Sequence, residues 1–204
     1  MSSNQTNTKS SMTRRKVLTA ATGVLGATGA TFAAVPFVSS WQPSEKARAA
    51  GAPVEVNIAK MQPGQMVTVS WRGKPVWVVR RTPEMLARLS DMDAKLRDPE
   101  SLQSDQPTYC QNATRSVKEE YLVVIGVCTH LGCAPLYRPA VDSPDMAENW
   151  MGGFFCPCHG SSFDLAGRVF QGVPAPTNLE IPPYHYKSDQ VLRIGEDPEQ
   201  GGVA

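Results

Sequence analysis

The apolar and polar positions of the chain fall into three regimes. Residues 1 to 12 are rich in Ser, Thr, Asn and Gln and have no apolar period, which is the composition of a disordered cytoplasmic tail. An uncharged run then extends from Val17 to Trp41. As a helix these 25 residues would reach roughly 37 Å, beyond the hydrocarbon core of about 30 Å. The run is only moderately apolar, because Thr19, Thr22, Thr28 and Thr31 dilute Val24, Leu25, Phe32, Val35 and Phe37, and Gly23, Gly26 and Gly29 suit close packing against another membrane helix. Residues 42–53 lack any apolar period and predict a flexible hinge. From residue 54 onward short β-type runs take over.

Val54–Ile58, Met66–Val69 and Val76–Val79 read as strands, the last two joined by a turn at Trp71-Arg72-Gly73-Lys74, and together they predict an antiparallel meander. Thr82 as N-cap, Pro83 at the first helical position and apolar Met85, Leu86, Leu89, Met92 and Leu96 predict one inserted amphipathic helix. Tyr121–Val127 is a buried-strand run that ends on Cys128, Phe154-Phe155 leads into Cys156, and Gln190–Ile194 is a last strand. With 16 Gly and 17 Pro, about 16% against an average of roughly 12%, the folded part should be loop-rich and mainly β.

Charge narrows the classes of partner. The 204 residues carry 20 Lys and Arg against 19 Asp and Glu, a formal net charge of +1, so no field exists to hold a polyanion and nucleic acid is not an expected partner. The positive charges are placed unevenly at the amino end. Lys9, Arg14, Arg15 and Lys16 precede the apolar run and no acid appears before Glu45, so the basic side stays cytoplasmic and the carboxyl-terminal part is exported. Arg14-Arg15 directly before the run is a twin-arginine export pattern. Ala47-Arg48-Ala49 resembles a signal-cleavage site, but the length of the run favours an uncleaved anchor over residues 13–41.

Five cysteines and three histidines are present, and six of them, Cys128, His130, Cys133, Cys156, Cys158 and His159, lie in two short loops, with Cys110 and His185 apart. So dense a set of soft ligands points to a metal or redox centre. Three partitions are open. A structural zinc site would use four of the six, an all-cysteine iron–sulfur cluster would use Cys128, Cys133, Cys156 and Cys158, and a mixed site would take Cys128 with His130 and Cys156 with His159.

The loops read Cys128-Thr129-His130-Leu131-Gly132-Cys133 and Cys156-Pro157-Cys158-His159-Gly160-Ser161, and they closely resemble the two boxes of Rieske [2Fe-2S] proteins. Trp71-Arg72-Gly73-Lys74-Pro75-Val76 and Gly172-Val173-Pro174-Ala175-Pro176 extend the resemblance, the latter to the proline-rich loop that covers the cluster. With the amino-terminal anchor, the resemblance is strongest to the Rieske subunits of cytochrome bc complexes and covers most of residues 13 to 195. It implies a Rieske-type antiparallel β-sandwich in residues 54–204, with a small cluster-binding subdomain at about 126–180 and one inserted helix, behind a single transmembrane helix. It implies one [2Fe-2S] cluster ligated by Cys128, His130, Cys156 and His159, a disulfide between Cys133 and Cys158, and a hydroxyl from Ser161 directed at a cluster sulfur. Phe163 departs from the family, many members having a tyrosine there whose hydroxyl bonds a ligand cysteine.

The activity implied is electron transfer from quinol to a c-type cytochrome, within a dimeric complex that also contains cytochrome b, in a bacterial inner membrane. Neutral imidazoles replacing two thiolates leave the cluster less negative and so easier to reduce, at about −150 to +300 mV against roughly −400 mV for four-cysteine plant-type clusters. His159 or His130 would take the quinol proton, with His159 favoured by the family. The same motifs also resemble the small Rieske subunit of an exported molybdenum oxidase such as arsenite oxidase, and a zinc-binding structural module is the remaining alternative. Cys110 is expected to be a buried or tolerated thiol, and His185 a packed or surface residue.

Overall fold

A computed structural model describes residues 6–146 and 149–198, and the chain divides into two compact units at Arg48 and Ala49. The first five residues of the predicted tail and the end of the chain from residue 199 lie outside the described residues.

In the amino-terminal unit α1 runs from Thr6 to Ser39. The helix therefore begins within the segment expected to be a disordered tail, because nothing in Thr6–Met12 breaks it: no Pro or Gly precedes the apolar run. Thr13–Ser39 is long and apolar enough to cross a membrane. Three of its threonines are accommodated locally, since the hydroxyls of Thr19, Thr28 and Thr31 each donate to a carbonyl one turn back at 2.8 Å. The predicted hinge is not coil throughout: α2 (Glu45–Gly51) is helical. Its cause is visible in its residues, with Ser44 Oγ accepting from the Ala47 amide at 3.2 Å, an Arg48–Glu45 pair at 3.0 Å, and alanines with the highest helix propensity.

The second unit is built from three antiparallel three-stranded sheets, with strands β1 (Val54–Asn57), β2 (Met66–Trp71), β3 (Lys74–Arg80), β4 (Tyr121–Ile125), β5 (Leu136–Arg138), β6 (Gly153–Cys156), β7 (Ser161–Phe163), β8 (Tyr184–Ser188) and β9 (Val191–Ile194). The orders are β1-β9-β8, β2-β3-β4 and β5-β6-β7. The predicted meander holds for β2 and β3, whose two-residue turn places Arg72 at φ 50 and Gly73 at φ 74, the left-handed pair that matches strand twist. It fails for β1, which pairs with β9 from Val54↔Ile194 to Asn57↔Val191 and so joins the two ends of the unit. β3 and β4 are continuous apolar runs and are buried along their centres, with Val76, Val78, Val79 and Leu122–Ile125 fully inaccessible.

The third sheet lies wholly within the predicted cluster-binding stretch. It is fixed to the second where Trp77 of β3 stacks on Phe154 of β6, ring centroids 5.3 Å apart. The same Trp77 ring lies against Gly126, where an added Cβ would overlap it, and this sets the height at which the first cysteine loop leaves β4.

The insertion between β3 and β4 is less regular than predicted. Only Pro83–Ala87 (α3) is α-helical, with the Thr82 side chain capping Met85 at 3.3 Å, and a 3-10 turn follows at Ser90–Lys95. Ser90, Asp91 and Asp93 are poor helix formers, and the Leu89 carbonyl is shared between the Met92 amide of the 3-10 turn at 3.3 Å and the Arg168 guanidinium at 2.7 Å. The expected apolar face nevertheless goes inward: Met85, Leu89, Met92 and Leu96 are all buried.

Candidate metal centre

Both cysteine loops begin where a strand ends and close in the same way. The Gly132 amide donates to Cys128 O and the Gly160 amide to Cys156 O, each at 3.0 Å, and both glycines have left-handed φ, at 83 and 77. A side chain would be strained at either position, so the Gly of each motif permits the tight loop that brings its Cys and His together. The first loop is further closed by Cys128 N–H to Cys133 O at 2.7 Å.

The loops meet at their sulfurs. Cys133 and Cys158 form a disulfide, with Cα atoms 6.7 Å apart, leaving Cys128 and Cys156 as buried free thiols. The sulfurs of Cys133, Cys156 and Cys158 lie within 4.8 Å of one another, but two of these are bonded together and are not available as thiolates. The Cys156 thiol, the His130 amide and the Ser161 hydroxyl are all close enough to Cys128 sulfur to act on its thiol. Burial pushes the Cys128 thiol up, the amide and the hydroxyl opposing it.

The imidazoles of His130 and His159 stand edge to face with centroids 4.9 Å apart, His130 half-buried and His159 exposed. Two buried sulfurs and two imidazoles, one of each from either loop, are a donor set that fits a [2Fe-2S] group with mixed ligands: soft anionic donors on the inside and neutral nitrogen donors toward solvent. Leu131 beside His130 is 71% exposed, an unusual placement for a leucine.

Of the predicted set, the two imidazoles stand together, Cys128 and Cys156 are both buried, and Ser161 is buried opposite Cys156 in the β6–β7 register. The two outlying residues are elsewhere. Cys110 is buried with its sulfur 3.6 Å from the Tyr184 hydroxyl, and His185 on β8 places Nδ1 3.3 Å from the Glu196 carbonyl. Phe163 is fully buried on β7.

Three fastenings of the site carried no signal in the sequence. Thr129 Oγ1 donates to the Thr177 carbonyl at 2.8 Å, and Arg97 in the insertion donates to the carbonyls of Val173 and Pro176 at 3.0 and 3.2 Å. The third is a group of buried arginines around the turn that follows β7. Arg81 reaches Leu165 O, Arg115 reaches Ala166 O and Gly167 O, and Arg168 pairs with Asp164 at 2.7 Å. Burial pushes the Arg81 and Arg115 guanidinium groups down to about 10, Asp164 opposing this, and both remain charged at neutral pH. In a sequence such arginines look like any solvated surface charge.

Residues 53–184 match the model of the Rieske [2Fe-2S] domain, and residues 4–44 match that described as "Ubiquitinol-cytochrome C reductase Fe-S subunit TAT signal". Fold and site therefore define a Rieske [2Fe-2S] protein with an amino-terminal export segment. The ubiquinol-cytochrome c reductase iron-sulfur subunit of Allochromatium vinosum is 62% identical over 90% of this chain and 89% of its own, and that of Bradyrhizobium diazoefficiens 43% identical over 90% and 94%. A chain of a solved hyperthermophilic respiratory Complex III is 30% identical, covering 85% of this chain and 98% of that one, with a TM-score of 0.46. The chain belongs to the iron–sulfur subunits of ubiquinol-cytochrome c reductase.

Proposed function

We propose that Cys128, His130, Cys156 and His159 hold the [2Fe-2S] group, and that the chain takes electrons one at a time from quinol and passes them to a c-type cytochrome in a complex with cytochrome b. The observation that carries this reading is that, once Cys133 and Cys158 are bonded, each cysteine loop keeps one free, buried thiol, Cys128 or Cys156, with one imidazole following it in the same loop. Relatives at 62% and 43% identity are quinol–cytochrome subunits, which favours this reading over the small subunit of a molybdenum oxidase.

When bound, the group supplies a high-potential one-electron acceptor. The protein residues do the rest. His159, exposed at the second loop, would help hold the group through one ring nitrogen and offer the other as acceptor for the quinol hydroxyl, whose proton it would take. Leu131, with most of its surface open, gives apolar contact to the quinol or to cytochrome b. The Ser161 hydroxyl and the His130 amide, both acting on Cys128, would stabilise added negative charge there. Thr13–Ser39 anchors the chain, Arg14, Arg15 and Lys16 at its start keep that end cytoplasmic, and the second unit works on the periplasmic side of an inner membrane. The complex is dimeric.

An EPR-monitored redox titration of the full chain in its membrane complex tests the ligand set. A Rieske-type signal at positive potential supports it; a midpoint near −400 mV would indicate four cysteine ligands, and bound zinc without an EPR signal would reduce the site to a structural one. A His159→Gln variant that kept a normal signal and oxidised quinol at the parental rate would refute the role of His159.

A further inference from the structure

We propose that Arg97, which lies outside both motif loops, is the positioning residue that holds the proline-rich loop against Ser161 and thereby sets how strongly the Ser161 hydroxyl donates toward the cluster. The inference rests on the ligand assignment proposed above.

The loop from Gly172 to Thr177 has two prolines, Pro174 and Pro176, that have no amide hydrogen to give, so it is secured by groups outside itself. Ala175 is fully buried and its N–H donates to Ser161 Oγ at 3.0 Å. Thr129 holds the carbonyl at Thr177. Arg97 uses Nη2 on Val173 O and Nη1 on Pro176 O, so the fork spans the residues on either side of Ala175 and fixes the piece of backbone that carries its N–H.

Arg97 is itself on a firm strip. Its amide donates to Val169 O at 3.0 Å, Leu96 bridges to Phe170, and Gln171 donates from its amide to Lys95 O at 2.9 Å and from Nε2 to Leu96 O at 2.8 Å. These backbone ties do not use the guanidinium, so the strip survives replacement of the side chain.

A serine hydroxyl has one proton to give. While Oγ accepts the Ala175 N–H, the hydroxyl is polarised and its proton is left for a sulfur of the neighbouring site, Ser161 being buried opposite Cys156 in the β6–β7 register. Donors to the cluster sulfurs raise the reduction potential. Without the fork the loop loses two of its fastenings, the Ala175 N–H leaves Ser161 for part of the time, and the Ser161 donor weakens. An ammonium at this position keeps the charge but cannot bridge two carbonyls in fixed geometry, which separates the fork from simple electrostatics.

The test is the EPR-monitored redox midpoint of the full chain in its membrane complex, for Arg97→Met, Arg97→Lys, Ser161→Ala and the double variant Arg97→Met with Ser161→Ala. The expected result is a midpoint lowered in Arg97→Met with signal amplitude kept, lowered equally in Arg97→Lys, and no lower in the double variant than in Ser161→Ala alone. An unchanged midpoint in Arg97→Met overturns the inference, as does full recovery in Arg97→Lys, which would assign the effect to charge, or additive shifts in the double variant, which would place Arg97 on a route independent of Ser161. A parental signal that is not of the Rieske type overturns the ligand assignment itself, and is read from the unmutated chain before any variant is compared.

Discussion

Thr129, in the middle of the first cysteine loop, donates its hydroxyl to the carbonyl of Thr177, 48 residues later, at 2.8 Å. That bond and the Cys133–Cys158 disulfide restrain the first loop from two sides, one toward the proline-rich loop and one toward the second cysteine loop. Such lateral ties are needed because the glycines that allow each loop its tight form also leave its unfolded state with more freedom to lose. The site is thus shaped by connections between loops as much as by the strands beneath them.

Removing the disulfide should loosen both loops together. Closing a loop of 25 residues in the unfolded chain is worth about 3.5 kcal/mol at 25 °C in the chain-entropy model. The variant to make is Cys133→Ser with Cys158→Ser, because a single change would leave a reactive thiol within 4.8 Å of Cys156 sulfur. A lower denaturant midpoint and faster loss of the EPR signal on warming are expected; equal stability in the double variant would show that the strands alone hold the loops.

Phe163→Tyr should raise the reduction potential. Phe163 is fully inaccessible on β7, two residues beyond Ser161, so a hydroxyl added to its ring must find an acceptor inside the protein. The resemblance places a ligand cysteine in that role, and a donor there stabilises the reduced cluster. The redox midpoint checks it directly. A constant midpoint together with a stability loss of about 1–3 kcal/mol would mean that the hydroxyl is buried without a partner.

The ligands were legible because their chemistry fixes residue type and spacing within two short loops, and the strands leading into them were legible as unbroken apolar runs. What lay beyond the sequence was long-range. β1 reads like the first strand of a meander, yet it pairs with β9 because two distant segments share a register that no local pattern encodes. Short β5 and β7 carry three residues each, too few for a period to be seen. The insertion reads as one helix because its apolar spacing is helical; the spacing correctly gives the buried face, while the poor helix formers Ser90, Asp91 and Asp93 turn the chain into a 3-10 segment after Ala87. Arg97 and Thr129 matter only through carbonyls far along the chain.

Alkaline pH should destabilise the second unit through its buried tyrosines. Burial is the main cause that pushes Tyr137 up to about 12 and raises Tyr109, Tyr184 and Tyr186 further. For an acid held above its unfolded value near 10, stability is complete below pH 10 and falls as pH rises beyond it, because the unfolded chain releases its protons first. Arg81 and Arg115, pushed down to about 10, act in the opposite sense over the same range. Tyr184→Phe isolates one tyrosine from that balance. At pH 7 it should cost about 1–3 kcal/mol, since Val117 N–H loses its acceptor at 3.0 Å. Above pH 10 the gap between parent and variant should narrow, as the parent alone loses the Tyr184 share; urea midpoints from pH 8 to 11 measure it, and a gap independent of pH would refute the assignment.

The last prediction concerns α2, in the segment expected to act as a hinge. An isolated helix of seven residues is marginal in water, so Glu45–Gly51 can exchange between a helical span of about 10 Å and an extended one of about 24 Å. A hinge role for this segment would draw on that change in reach. Proline at Ala49 removes the amide that would bond Glu45 O and clashes with that carbonyl, a bias against the helix of about 3 kcal/mol, or more than a hundredfold in the ratio of the two forms. Its effect would come from breaking a helix rather than from stiffening a coil. Ala49→Pro should therefore slow quinol–cytochrome c turnover while leaving the EPR signal and its midpoint unchanged, because the substitution touches no part of the cluster loops. Unchanged turnover would mean that α2 is a passive spacer, and a shifted midpoint would mean that the tether and the cluster are not independent.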